Sequence, residues 1–155
     1  MQAATIIIRP ATEQDLEAIV AILASDDIGG HGDTTDETAR ADYLHAFRTL
    51  EQTPRETLYV AECDGAIVGT FQTLLTTTLT GRGGTSMIVE AVQTRADMRG
   101  RGIGAQMIGF CLDEARRLGL RQVQLTSNAA RIDAHRFYER LGFAKSHFGF
   151  KYKLK

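Results

Sequence analysis

Apolar positions along the chain change their period several times, and each change marks an element. Thr5–Arg9 reads as a strand, ended by Pro10. Thr12 then caps a helix with Gln14 and Asp15 in its first turn. Its apolar face, Leu16, Ile19, Val20, Ile22 and Leu23, runs to about Ala24. The stretch SDDIGGHGDTTD has no period and reads as a polar, glycine-rich loop. A second helix, about Glu37–Gln52, carries Tyr43, Phe47 and Leu50 on one stripe. Strands follow at Thr57–Cys63, Ala66–Leu79 and Thr85–Thr94, joined by the turn signals Asp64–Gly65 and TGRGG, which makes an antiparallel meander. Downstream come a helix Ile103–Leu118 closed by Gly119, a strand Arg121–Ser127 and a helix Ile132–Leu141 closed by Gly142. The tail FAKSHFGFKYKL is expected to add one or two last strands. This order predicts an α/β or α+β fold, a mixed sheet with helices on both faces. No repeat, low-complexity tract or linker interrupts it, so residues 1–155 are expected to form a single domain.

Composition narrows the function classes. The chain has 155 residues, 43% apolar and 24% charged, with a formal net charge of −1. Bulk charge therefore gives no case for nucleic acid or an acidic membrane as partner. No apolar run approaches the roughly 20 residues that span a bilayer. The N-terminus MQAATIIIRP lacks the basic region and long apolar run of a signal peptide, so a cytoplasmic location is expected. Cys63 and Cys111 sit in apolar segments and read as buried, reduced thiols. No cluster has metal-ligand spacing, and no metal is expected; His31, Asp33 and His135 would have to meet by folding alone.

The chemistry concentrates in MRGRGIGAQM, Met98–Met107, where three glycines and two arginines precede a helix. Such a loop suits phosphate, because glycine admits close backbone approach and a helix start offers free N–H groups and partial positive charge. Gly100 to Ala105 fits G-x-G-x-x-G/A. Dinucleotide binding nevertheless fits poorly. The loop follows a hairpin strand instead of opening the first βα turn, and no acidic residue stands in Arg121–Ser127 to hold a ribose. A P-loop is excluded, since no Gly-Lys-Ser/Thr follows.

Arg99, Gly102 and Gly104 fit the pattern Arg/Gln-x-x-Gly-x-Gly/Ala, and about 35 residues later comes AHRFYERLGF, Ala134–Phe143. With these two signatures in this order, the chain resembles the GNAT family of N-acetyltransferases over nearly its whole length. The resemblance implies a mostly antiparallel sheet of six or seven strands, splayed in the middle, with about four helices. It implies acetyl-CoA as cosubstrate, its pyrophosphate held by main-chain amides of Gly100, Arg101, Gly102, Ile103, Gly104 and Ala105, with Arg99 and Arg101 adding charge. Arg95 reads as a solvated loop residue. The pantetheine arm would enter a split between Thr85–Thr94 and Arg121–Ser127, and amides near Val92 would face the thioester oxygen. Tyr138 would point at the CoA sulfur. Arg131 stands where the family often has an asparagine touching CoA; it would bind a phosphate or an anionic group of the acceptor. Arg131, DAHRFY and SHF also resemble the C-terminal part of aminoalkylphosphonate N-acetyltransferases, a likeness that does not extend to the acceptor loop.

N-acetylation needs a neutral amine and benefits from an acid for the leaving thiolate. Glu90, in the apolar run MIVEAVQT, is expected on the face of Ile88 and Val92 by alternation. It reads as a general base acting directly or through water, as an anion for a cationic acceptor, or as half of a structural ion pair. Tyr138 reads as the acid, or as a packed tyrosine. His135 shares a helix face with Tyr138 and reads as a base or a packing residue. His31 and Asp33 are candidates to line the acceptor pocket. The reading that results is transfer of acetyl to a primary amine of a small molecule, with a homodimer among the expected assemblies. The alternatives are a protein or peptide acceptor, and a CoA-binding regulatory module without turnover.

Overall fold

The computed structural model describes residues 5–28 and 30–155; Gly29, in the glycine-rich loop, lies outside the described residues. Two compact units form, Met1–Leu125 and Thr126–Lys155.

The first unit is built on a five-stranded sheet in the order β1-β2-β3-β4-β5. The strands are β1 Ile7–Pro10, β2 Glu56–Cys63, β3 Ala66–Thr77, β4 Thr85–Thr94 and β5 Gln122–Leu125. The first four pair antiparallel, and β5 runs parallel to β4. The helices are α1 Leu16–Ala24, α2 Arg40–Glu51, the four-residue α3 Thr80–Gly83, and α4 Ile103–Arg117. The meander read from the alternation is present. Asp64 (φ 50) and Gly65 (φ 80) both take positive φ, as a two-residue hairpin turn of this hand requires. TGRGG closes the next hairpin, with Gly81 and Arg82 left-handed inside α3.

Register sorts the side chains into two layers. Tyr59 lies opposite Phe71, and Met87 and Val89 lie opposite Leu75 and Thr73, so all share one face. Helix α4 covers this face with Ile103, Met107, Cys111 and Ala115, spaced by four, plus Ile108. The rings of Tyr59 and Phe71 stack at 4.9 Å, and Phe110 meets Tyr59 edge-on at 5.1 Å. Gly69 permits the close fit: a Cβ there would stand 2.8 Å from Met107 Sδ. Burial pushes the Cys111 thiol up to about 12, so this cysteine is an inert core residue. Val60, Val68 and Thr70 point to the other face, where α1 packs on β3 and α2 on β2. Helix α4 ends as the sequence implies: Gly119 (φ 68) donates to Arg116 O and Leu120 N–H to Ala115 O, closing a Schellman motif.

The start of α1 is fastened to the sheet edge by charge. Arg9 donates from both guanidinium nitrogens to Asp15, at 2.7 and 2.9 Å, and reaches Glu62 at 3.3 Å. Asp15 also accepts the Thr12 N–H at 2.8 Å. Pro10 belongs to β1 instead of following it, which an edge strand tolerates.

The second unit holds α5 Ile132–Arg140. Here the structure departs most from the expectation. The sheet has five strands, not six or seven, because no residue of Phe143–Lys155 enters a ladder. Alternation in FGFKYKL states which side chains would share a face if the segment were paired; it does not supply a partner edge.

The Arg9 guanidinium, opposed by partial burial and helped by Thr12, holds the Asp15 carboxyl below the usual carboxylate range. A depressed folded value means stability that is present above the unfolded value near 4 and is lost as pH falls through the folded one. Asp15→Asn should therefore cost about 1–3 kcal/mol in urea unfolding at pH 7, and the gap between the two proteins should narrow as pH falls below about 4. A gap independent of pH would contradict this role.

Candidate active site

The loop before α4 is shaped by a short 3-10 turn, Ala96–Met98, and by Arg95, whose N–H donates to Val68 O at 2.8 Å. The Arg95 side chain is occupied by Asp97, with Nε donating at 2.6 Å and Nη2 at 3.0 Å. Gly100 (φ 76) and Gly102 (φ 80) are both left-handed, and no atom lies within 4 Å of where a Cβ would stand on either. The backbone there faces open space. Gly102 is the N-cap of α4, no side chain caps the helix, and its first turn holds no acidic residue. The Gln106 N–H donates to Gly102 O at 3.1 Å, so the amides of Ile103, Gly104 and Ala105 precede the first helical bond. With the helix dipole and exposed Arg101 beside them, these amides form an electropositive concavity suited to an anion.

Arg99 has a different occupation. Its Nε donates to Thr94 O at 3.3 Å. The buried Gln93 amide is satisfied when its oxygen accepts from Arg99 Nη2 and its nitrogen donates to Val92 O, both at 3.2 Å. Arg99 thus braces the end of β4 against the loop. Gln93, 6% exposed, was not among the residues the sequence pointed to. The available signal was a polar residue where strict alternation from Met87 and Val89 would place a core side chain.

That alternation fails because β4 is bulged. Gln72 faces Glu90 and Thr70 faces Gln93, so Phe71 alone stands opposite Ala91 and Val92. Ala91 sits at φ 52. Glu90 and Gln93 consequently share a face although three positions apart. Val92, half-buried, does not continue the face of Ile88 and Glu90, which corrects the expectation from alternation. Glu90 is exposed and has no ion-pair or hydrogen-bond partner among the described residues. On its other side β4 pairs with β5 only from Ser86–Gln122 to Val89–Leu125. From Glu90 to Thr94 the strand runs on without β5, toward the loop.

In the second unit, Asn128 organises the approach to α5. Its side chain accepts the Ala130 N–H at 2.9 Å, and its carbonyl accepts the Arg131 N–H and lies 2.8 Å from His135 Nε2. A carbonyl only accepts, so Nε2 carries the His135 proton; Nδ1 is buried without a hydrogen-bond partner. Arg131 is the N-cap residue of α5. Tyr138 lies between Phe137 at 5.1 Å and Phe143 at 5.8 Å, both edge-on. Gly142 (φ 99) donates to Glu139 O and Phe143 N–H to Tyr138 O, a second Schellman motif with the ring contact that accompanies one.

His31 is exposed. Asp33 accepts the Tyr43 hydroxyl at 2.8 Å, and that oxygen accepts the Thr34 N–H at 3.1 Å. Asp33 therefore ties the glycine-rich loop to α2. A groove of about 510 Å³ lies beside α1, lined by Ala18, Ile22, Ala66, Ile67 and the closed Arg95–Asp97 pair. Among the described residues no three His, Cys, Asp or Glu side chains group as a metal site, and no helix is long and apolar enough to cross a membrane.

Residues 16–143 match the model of the acetyltransferase (GNAT) family. Over 53 residues, 34% of this chain, the sequence is 47% identical to the aminoalkylphosphonate N-acetyltransferase of Salmonella typhimurium; the match spans 34% of that enzyme, about a third of its length. A solved structure described as a transcriptional regulator from Bacillus halodurans is 37% identical, with a TM-score of 0.92 over 97% of this chain and 100% of that one. Glucosamine-6-phosphate N-acetyltransferase from Arabidopsis thaliana shares the fold at 18% identity, with a TM-score of 0.79 over 97% and 99% of the two chains.

A Cβ in the left-handed region costs about 1–2 kcal/mol, and glycine costs about 0.5–1 kcal/mol in chain entropy. Ala91→Gly should thus leave stability unchanged or raise it by less than about 1.5 kcal/mol. Ala91→Val should lower it. Urea unfolding of both variants checks the bulge; a clear loss for the glycine variant would contradict it.

Proposed function

Since the chain belongs to the acetyltransferase (GNAT) family, we propose that it is an acetyl-CoA-dependent N-acetyltransferase whose acceptor is the primary amine of a small molecule. The observation that carries this reading is the uncapped α4 N-terminus behind the open Gly100–Gly102 backbone, continuous with a β4 that outruns β5. In this reading the whole of 1–155 acts as one catalytic domain in the cytoplasm, with a homodimer among the assemblies to test.

Amides of Gly100 through Ala105 hold the pyrophosphate, with Arg101 beside them. Arg99 contributes by fixing the loop, on the strength of its bonds to Thr94 and Gln93. The neutral amine attacks the thioester carbonyl directly. Its proton passes to Glu90, directly or through water, an assignment favoured by the exposed and unpaired state of that carboxylate. Backbone amides at the bulge near Val92 stabilise the oxyanion. Collapse breaks the C–S bond, and the Tyr138 hydroxyl protonates the departing thiolate. Arg131 supplies a cation for a phosphate of CoA or for an anionic acceptor. The likeness to the Salmonella enzyme makes aminoalkylphosphonates the first acceptors to try.

The relative described as a transcriptional regulator keeps a second reading in view, a CoA-binding module without turnover. Thiol release from acetyl-CoA over a panel of amines, with peptides included, separates the readings. Release with small amines supports the first, release with peptides alone replaces the acceptor class, and CoA binding without release supports the module.

Two sets of variants follow. Gly104→Val puts a branched side chain among the pyrophosphate amides and should weaken acetyl-CoA binding at least about tenfold by calorimetry. Normal binding would move the cofactor loop elsewhere. Tyr138→Phe should lower kcat roughly 10- to 1,000-fold with a much smaller change in KM for acetyl-CoA. Glu90→Gln should abolish the acidic limb of the pH–rate profile, and higher pH should partly restore its rate because more amine is neutral. A raised amine KM at unchanged kcat would make Glu90 a binding anion instead. Unchanged constants and profile would remove it from the mechanism.

A further inference from the structure

Gln93 is buried in the strand that also buries Met87 and Val89. An apolar side chain would fill that place without the cost of burying an amide. Thr70, opposite it in β3, does not satisfy it, because the Thr70 hydroxyl donates to Tyr59 O at 2.9 Å. The amide is satisfied locally instead. Its nitrogen donates to Val92 O and its oxygen accepts from Arg99 Nη2, each at 3.2 Å. Arg99 Nε completes the link by donating to Thr94 O at 3.3 Å. One guanidinium serves both acceptors because its N–H groups are fixed in a planar fork.

The two ends of this amide lie on different parts of the cofactor site proposed above. Val92 O belongs to the peptide just after the bulge at Ala91, where β4 has parted from β5. A bulge interrupts the ladder, so a side-chain bond helps to set the orientation of that peptide. Arg99 immediately precedes the open turn Gly100–Gly102, and no atom lies within 4 Å of a Cβ position on either glycine. Little packs on the turn itself, and its start is held through Arg99.

We infer that Gln93 is a positioning residue: one buried amide ties the backbone that faces the thioester to the loop that takes the pyrophosphate, and sets both before the cofactor binds. The role rests on the acetyl-CoA reading above and adds a residue that lies in neither sequence signature. Gln93 acts through Val92 and Arg99, not by contact with the cofactor. Its two ends are separable. The bond to Val92 O governs how the thioester oxygen is met, and the bond to Arg99 governs how well the loop amides are aligned for phosphate.

The test uses the full chain and three readouts. These are CoA affinity by calorimetry, the infrared carbonyl stretch of bound carbon-13-labelled acetyl-CoA, and hydrogen exchange of the cofactor-free protein. In the wild type the thioester stretch should move to lower frequency on binding, because amides polarise the carbonyl. Gln93→Leu removes both bonds; it should abolish that shift and weaken CoA about tenfold. Gln93→Glu keeps an acceptor for Arg99 and loses the donor to Val92 O; it should abolish the shift but hold CoA affinity within about threefold. Arg99→Lys keeps the charge and loses the fork; it should weaken CoA about tenfold and keep the shift. Combining Gln93→Leu with Arg99→Lys should weaken CoA no further than either alone, since both cut one link. Without cofactor, both should speed exchange of the Met98 and Gln106 amides, which are bonded to Arg95 O and Gly102 O, while the middle of α4 stays protected. Arg99 is exposed, so its variant decides the loop end even where Gln93→Leu fails to fold. Wild-type affinity in Arg99→Lys would overturn the loop end. A shift absent from the wild type, or kept in Gln93→Glu, would overturn the bulge end. Either result removes the two-ended role. A wild-type chain that binds no CoA would overturn the cofactor reading and this role together, whereas wild-type affinity and shift in Gln93→Leu would overturn this role alone.

Discussion

Between Glu90 and Gln93, β4 carries one residue more than β3 beside it, and Phe71 must face two neighbours instead of one. The extra residue is accommodated by Ala91 at φ 52. Because Phe71 is locked between Tyr59 and Phe110 in the core, the irregularity is expressed in β4. Its effects reach both directions. Upstream, Met87 and Val89 keep the packing face and the pairing to β5. Downstream, Gln93 is rotated onto the face of Glu90 and Thr70, where it meets Arg99 and fixes the start of the loop. The uncapped turn of α4 is thereby presented at the end of a strand that has already parted from β5.

The arginines divide by what they touch. Arg9 is held by Asp15 and Glu62, Arg95 by Asp97, and Arg99 by the Thr94 carbonyl and Gln93. These three stiffen the frame, and the two ion pairs hold the carboxyls of Asp15 and Asp97 below the ordinary range. Exposed Arg101 and the amides of the first α4 turn remain to meet an anion. Most of the charge in this cluster thus braces the frame, and the groups left open toward an anion are mostly backbone amides.

The closing signature has a structural meaning beside its chemical one. In AHRFYERLGF, glycine supplies the left-handed residue that ends α5, and the following phenylalanine packs on Tyr138. This segment is in part a helix stop. Its tyrosine ring packs on Phe143 in the same contact that terminates the helix.

Elements whose cause is local were legible in the sequence. Asp64–Gly65 turned because both positions tolerate positive φ, α4 stopped at Gly119 for the same reason, and the spacing of Ile103, Met107, Cys111 and Ala115 told which side of α4 is buried. Glycines ahead of a helix also located the candidate anion site, because the amides and the dipole come with any helix start. The rest depended on contacts between elements. Whether β4 keeps strict alternation depends on Phe71 across the sheet, so the faces of Glu90 and Val92 were not legible in their own strand. The bond from Tyr43 to Asp33 was not legible either, since Tyr43 lies ten positions on and meets Asp33 only through the fold of the loop. The tail shows the limit most plainly. Its period-two pattern is as regular as any in the chain, yet a strand exists only with a neighbour, and the neighbouring edge is a property of the assembled sheet.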